Sequence, residues 1–420
     1  MKNGKKTEIK ETKICNCCGR ELPVEEFRNT KYGLSKSCQV CITAKYRDNR
    51  LKKWIKQGKG LAVVSRKYKQ ISPERILRKA TSGIELIVKG ERFVRQIDYK
   101  DFWISNYGRA VKYENGRYIL LRGSLDEQGK VCYRVKKNVY KKNKKRWQWK
   151  TISVRACDLV VSTFIVNYDI EHNSCCWHRG GDLKDNYYKN IYPVNPKQYE
   201  AIKQQFEATG MDKEETIIEI CNDPRYKPEN WNAVCMVLST YGRGYLGCND
   251  ADIKNSAAYR KWANMMARAY STSNHRLKPW YKGCKVCEEW HNYANFRAWY
   301  KVHFIDCKYA LDKDILIQGN KVYSPETCIP VTQFVNAVFE TRHAAGVRYN
   351  EKAGTYEATM TILDKSEKIG NYNTLEAGKQ AYIEYKKRYI VDLAEKMHGR
   401  GQIPEKLYLA MLKWNVKIVE

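Results

Sequence analysis

Residues 157–196 read CDLVVSTFIVNYDIEHNSCCWHRGGDLKDNYYKNIYPVNP. The first ten, CDLVVSTFIV, form an apolar segment that predicts a helix. Upstream, from about residue 92, the strings FVRQI, YKDFWIS, YILLRG, VCYRVKK and WQWKTISV are separated by turn residues and predict short strands. Downstream, PKQYEAIKQQFEATGMDKEETIIEICND predicts a helical spacer with its acids in the second half. Strands followed by segregated helices make the expected fold class α+β.

The apolar run around Leu159–Val166 is far shorter than the ~20 residues that cross a bilayer, so no membrane span is expected. The opening MKNGKKTEIKETK is charged throughout and lacks the apolar core of a secretory signal, so export is not expected either. The chain has 420 residues, which suggests several domains. It holds 77 Lys and Arg against 46 Asp and Glu, a formal charge of +31, which points to a polyanionic partner. With 43% hydrophobic and 12% aromatic residues it should fold rather than remain a basic tail. Sixteen cysteines, three pairs of them at C-x-x-C spacing, fit thiolate chemistry in a reducing cytoplasm better than a disulfide scaffold.

Seven segments follow from composition. Residues 1–48 carry Cys15, Cys18, Cys38 and Cys41, two turns of paired thiols with the spacing of a structural zinc ribbon; Cys17 is left over. Residues 49–90 are a basic linker, 91–196 hold the strands and the quoted stretch, and 197–256 are the spacer. In the Trp-rich unit 257–340, Trp290, Tyr293, Phe296 and Trp299 recur at three-residue steps and predict one core-facing helical stripe. Cys284, Cys287, His303 and Cys307 offer a possible second zinc site, although the stripe between them favours packed thiols. Residues 341–395 predict three strands and a helix, and 396–420 a short basic helix.

Several of these segments resemble known modules. DFWISNYGRAVKY, with Ser105, Asn106, Gly108 and Arg109, resembles the Ser-Asn-x-Gly-Arg motif found beside HNH nucleases in mobile elements, where the resemblance implies DNA contact by Ser105, Asn106 and Arg109. The stretch 157–196 is similar to the HNH nuclease module itself, a ββα-metal unit. The resemblance implies His178 as general base, Asn186 pinning the loop, and Asn190 on a helix holding Mg2+ or Mn2+ with Asp182 as the nearest carboxylate. Trp177 replaces the usual acid or amide before the histidine, Cys157 stands where the family has an upstream His, and Gly180 replaces the loop acid. The Trp-rich unit resembles an HNH-like phage and mobile-element family through VCEEW and LDKDILIQGNKVYSPETC, which implies a second site at Asp312, Asp314 and Asn320; Lys313 replaces its histidine. The C-terminal unit resembles the DNA-binding domain of plant ethylene-response factors through Gly346, Val347, Arg348, Tyr356, Ala358, Gly370 and Thr374. That resemblance implies DNA contacts by Arg348, Lys352, Tyr356, Lys365 and Lys368.

Together the resemblances imply a phage or mobile-element HNH-type homing-like endonuclease that binds double-stranded DNA, with Zn2+ as structural metal and a nick as product. The alternative is a DNA-bound regulator or accessory protein built from nuclease modules that have lost catalysis. RNA binding through the ribbon and the tyrosines is a third reading. No dimerisation heptad or obligate protein partner is evident.

Overall fold

The computed structural model describes residues 11–14, 16, 21–24, 27–30, 32–38, 88, 90–228, 235, 237–248, 253–340 and 346–418. Mixed α+β structure in several small sheets is observed, as expected. No helix among the described residues is long and apolar enough to cross a membrane.

At the N-terminus two short antiparallel pairs, β1 (Thr12–Ile14) with β2 (Glu21–Pro23) and β3 (Phe27–Thr30) with β4 (Gly33–Cys38), occupy the ribbon segment. The expected zinc ligands Cys15, Cys18 and Cys41, and the side chain of Cys38, lie outside the described residues, as does most of the basic linker.

A four-stranded antiparallel meander follows: β5 (Phe93–Arg95), β6 (Phe102–Ser105), β7 (Ala110–Glu114) and β8 (Arg117–Leu120). After the short β9 (Ser124–Leu125), two long strands, β10 (Val131–Lys141) and β11 (Arg146–Arg155), pair over ten positions as a ribbon. The chain then enters α1 (Ala156–Phe164), whose Ala156, Leu159, Val160 and Phe164 are buried against Phe102, Ile104, Tyr133 and Val135. The β-branched pair Ile165–Val166 ends it, since Ile165 is extended.

The strands β12 (Cys175–His178) and β13 (Ile191–Val194) form an antiparallel hairpin with His178 opposite Ile191. It is followed by α2 (Pro196–Thr209) and α3 (Glu214–Asn222). Asn195 starts α2 with a reciprocal capping box to Gln198 and Pro196 at the first helical position, and Gly210 at φ +66° ends it. These helices do not act as a free spacer. Trp177, Tyr192, Val194, Ile202 and Ile217 share one core, so the hairpin buries one face against them.

In the Trp-rich unit, α4 (Ala257–Tyr270) is capped by Ser256 and buries Trp262 and Met266, and α5 (Thr272–Leu277) follows. Next come β14 (Lys285–Val286), α6 (Tyr293–His303, capped by Asn292), β15 (Ala310–Asp312), β16 (Val322–Tyr323), β17 (Ile329–Val331) and α7 (Gln333–Phe339). The aromatic stripe is core, as expected: Trp290, Tyr293 and Phe296 are at most 1% exposed. Trp290 sits in a 3-10 turn before α6, because Asn292 stops the helix from extending back to it.

The C-terminal unit is a three-stranded antiparallel sheet, β18 (Val347–Asn350), β19 (Thr355–Ile362) and β20 (Lys365–Tyr372), backed by α8 (Leu375–Gly399). The helix runs across the boundary expected at 395/396. Its Ile390 and Ala394 pack with Val331, Val335 and Val338 and with Leu407 and Met411 of α9 (Glu405–Leu412), so one core joins β17, α7, α8 and α9.

Buried polar groups join the quoted stretch to the Trp-rich unit. Asn295, fully buried, donates to the carbonyls of Asn167 and Glu289 and accepts the Ile170 amide at 2.7 Å. Arg297 pairs with Glu171 at 2.6 Å. Asn295→Ala removes all of these side-chain bonds and leaves backbone groups unpaired in the interior. The expected cost is about 2–4 kcal/mol, read as faster hydrogen exchange at the Ile170 amide; unchanged protection there would make the anchor dispensable.

Candidate functional site: the His178 pocket

Side-chain alternation along β12 sorts its residues into two layers. Trp177 points at α2 and α3, where its ring meets Tyr199 and Phe206 and its Nε1 donates to Asp212 at 2.8 Å. Cys176 packs with the α1 layer, together with Cys157, and His178, two residues on, shares the parity of Cys176. His178 is 1% exposed. Its Nε2 lies 3.5 Å from Asn186 Oδ1, while its Nδ1 is buried with no hydrogen-bond partner.

The loop between the two strands is fixed by local carboxylate caps. Asp212 also accepts the Gly180 amide at 2.7 Å, and Gly180 and Gly181 take the left-handed conformations of +76° and +72° that glycine tolerates. Gly181 lies against Phe206. Asp182, exposed, accepts the Lys184 amide at 2.9 Å. Asp185 accepts the Tyr187 amide and takes the side chain of Asn190 at 2.6 Å. Asn190 therefore ends a turn just before β13. The helix expected to carry it starts later, at Pro196, because the Asp185 turn hands the chain directly to β13.

Of the expected catalytic group, only Asn186 is brought to His178. Among the described residues, the metal-type cluster is a different set, Cys157, Asp158 and Cys176, whose ligand atoms lie within 4.8 Å of one another. Both thiols stand 3.7 Å from Asp158 Oδ1. The Cys157 thiol is held well below the ordinary thiol range by its hydrogen bond with Cys176 and, beyond that, by His178 and the charge of Lys130. Burial and the adjacent Cys157 raise the Asp158 carboxyl to about 6. This donor set is soft, two sulfurs with one oxygen, and does not fit Mg2+ or Mn2+, which need several oxygen ligands. The resemblance in sequence sets Cys157 at the position of a family histidine. Cys176, Asp158 and Lys130 carried no signal, because their proximity depends on α1 crossing the hairpin.

The Ser-Asn-x-Gly-Arg motif is turned inward. Ser105 Oγ accepts the amides of Tyr107 and Arg109, and Asn106 bonds Arg92 N and Gly90 O. Arg109 forks onto the buried carboxylate of Glu91, with Nε at 2.9 Å. Contrary to the expectation of phosphate or base contact, this guanidinium is engaged within the protein. The turn also supports the pocket. Tyr188 N donates to Asn106 O, and Gly108, at φ +73°, lies so close to Asn186 that an added Cβ would stand 2.2 Å from the Asn186 Cβ.

The second expected site is a locked turn. Asp312 accepts the amides of Asp314 and Ile315, and burial raises its carboxyl to about 6. Lys313 Nζ bonds Asp314 and the Asn320 carbonyl, and Asn320 donates to the carbonyls of Lys313 and Val322. Asp314 lies beyond the end of β15, so the two acids do not alternate along one strand. The possible zinc group at Cys284, Cys287, His303 and Cys307 is not assembled either: His303 donates to the Trp299 carbonyl and stacks on its ring, and Cys307 is exposed.

On the C-terminal sheet, Arg348 pairs across from Glu357, which takes Lys368 at 2.8 Å, so these cations share the face away from α8. Tyr356 has the opposite parity, on the side where Gly378 of α8 approaches. Lys352 and Lys365 are exposed at the strand ends.

Gly108→Ala combines a disfavoured positive φ with the clash at Asn186. It is expected to destabilise this half of the protein by about 2 kcal/mol or more, seen as a lowered unfolding temperature, and an unchanged one would show that the turn yields freely.

Comparison of the chain with protein-family models, with curated proteins and with solved structures returned no match.

Proposed function

We propose that this protein binds double-stranded DNA and does not cleave it with Mg2+ or Mn2+. The observation that carries this reading is the β10–β11 ribbon. Residues 131–155 contain ten Lys and Arg and no Asp or Glu. The ribbon pairs from Cys132 with Arg155 to Lys141 with Arg146, and its tip residues Lys142, Lys144, Lys145 and Arg146 are exposed. A two-stranded ribbon fits the major groove, which is about 12 Å wide, and a cationic tip gains affinity by displacing counterions from phosphates. The ribbon is braced from both sides: Lys100 N donates to Lys136 O, Trp147 N donates to Gly401 O, and Asn138 Oδ1 accepts the Glu405 amide. A braced ribbon presents its charges without first being ordered. Arg348 and Lys368, on the outer face of the C-terminal sheet, are a second cationic surface for the same duplex.

The regulator or accessory reading is preferred to the endonuclease reading because His178 is buried among thiols, and because Asp182 and Asn190 bond elsewhere. With Lys142, Lys144, Lys145 and Arg146 all changed to Ala, the slope of log affinity against log salt is expected to become shallower by about 3–4. An unchanged slope would exclude the ribbon from the contact. Supercoiled plasmid incubated with the protein and Mg2+ or Mn2+ is expected to stay closed. Nicking that is lost in His178→Ala would restore the endonuclease reading, and preference for RNA in competition would retire the DNA reading.

A further inference from the structure

We propose that Cys157, Asp158 and Cys176, whose ligand atoms lie within 4.8 Å of one another, bind a zinc ion that ties α1 to the β12–β13 hairpin, with His178, which stands outside that cluster, turning in as the fourth ligand. The four donors come from two elements that are 11 residues apart in the chain at their nearest ends, Phe164 and Cys175. Two thiols, one imidazole and one carboxylate are a tetrahedral zinc set. The ligand spacing agrees: Zn–S near 2.3 Å and Zn–O of 2.0–2.2 Å at the tetrahedral angle place sulfur and oxygen about 3.5–3.7 Å apart, and both Sγ to Oδ1 distances are 3.7 Å.

A second observation points to a missing ligand independently of this spacing. His178 is near enough to Cys157 to act on its thiol, yet its buried Nδ1 has no hydrogen-bond partner. A buried imidazole nitrogen without a partner is costly, and a metal would satisfy it. Charge also fits. Two thiolates and one carboxylate around Zn2+ leave one negative charge, and Lys130, itself only 6% exposed, is close enough to act on Cys157. Cys157 further sits in the first turn of α1, where the helix dipole favours thiolate. Cys157, Cys176 and His178 are 1%, 6% and 1% exposed, whereas Asp158 reaches solvent, and in the proposed set all four positions are taken by protein. The ion is therefore structural, with no open position for substrate.

The test uses the full-length chain with Cys15, Cys18, Cys38 and Cys41 all changed to Ser, so that any metal at the N-terminal cysteines is excluded. One equivalent of zinc per chain is expected by elemental analysis. Adding Cys176→Ala should reduce it to less than a tenth, whereas adding Cys157→His, which keeps a ligand, should retain it. Cobalt exchange should give a thiolate-to-metal charge-transfer band with the intensity of two thiolates. A folded four-serine variant without zinc, full zinc in Cys176→Ala, or a Cys157–Cys176 disulfide found by mass spectrometry would each overturn the proposal. Should the four-serine variant fail to fold, alkylation of the unaltered chain decides: a chelator should expose Cys157 and Cys176 to modification, and no change on chelation would overturn the site.

Discussion

The central half of the molecule depends on the alternation of side chains along four residues, Cys175–His178. One parity sends Trp177 into the aromatic pocket of α2, the other sends Cys176 into the layer of α1, and His178 follows it. A hairpin buried on both faces cannot slip by one residue, because the slip would exchange an indole for an imidazole and a thiol in two unlike environments. That constraint places His178 beside Cys157 and Asn186, and the inward-turned motif at Ser105–Arg109 holds the loop from behind through Gly108.

Charge is distributed differently from the core. Several cations are engaged within the protein: Arg109 is matched by Glu91, Arg297 by Glu171, and the buried Lys313 by Asp314. Four cations, Lys142, Lys144, Lys145 and Arg146, face solvent together at the tip of the β10–β11 ribbon. Antiparallel ribbons suit this role. Their backbone groups are paired internally, so the projecting lysines need no core of their own. The anchors at Lys100, Gly401 and Glu405, which come from segments remote in sequence, stiffen the ribbon and couple it to the C-terminal helices. Lys406 reinforces the same joint by pairing with Asp98 at 2.8 Å.

Much was legible without coordinates, for reasons that are local. The α+β class, the strands of the 91–155 region, the apolar helix at 157, the aromatic stripe as core and the final sheet with its helix all follow from side-chain periodicity and turn residues. The net charge of +31 and the absence of long apolar runs are likewise properties of composition. The roles of individual polar residues were not legible. Arg109 looks like a phosphate ligand until Glu91 is seen to hold it, and Asn190 looks helical until Asp185 is seen to turn it into β13. A charged or amide side chain has a role only relative to its partner, and the partner is chosen by packing. The amino-acid order thus determined which segments become helices and strands, since those preferences act within a few residues. Only the tertiary structure decided that α1 packs on the hairpin and brings two cysteines and an aspartate together, because that convergence rests on contacts between segments that the local pattern does not relate.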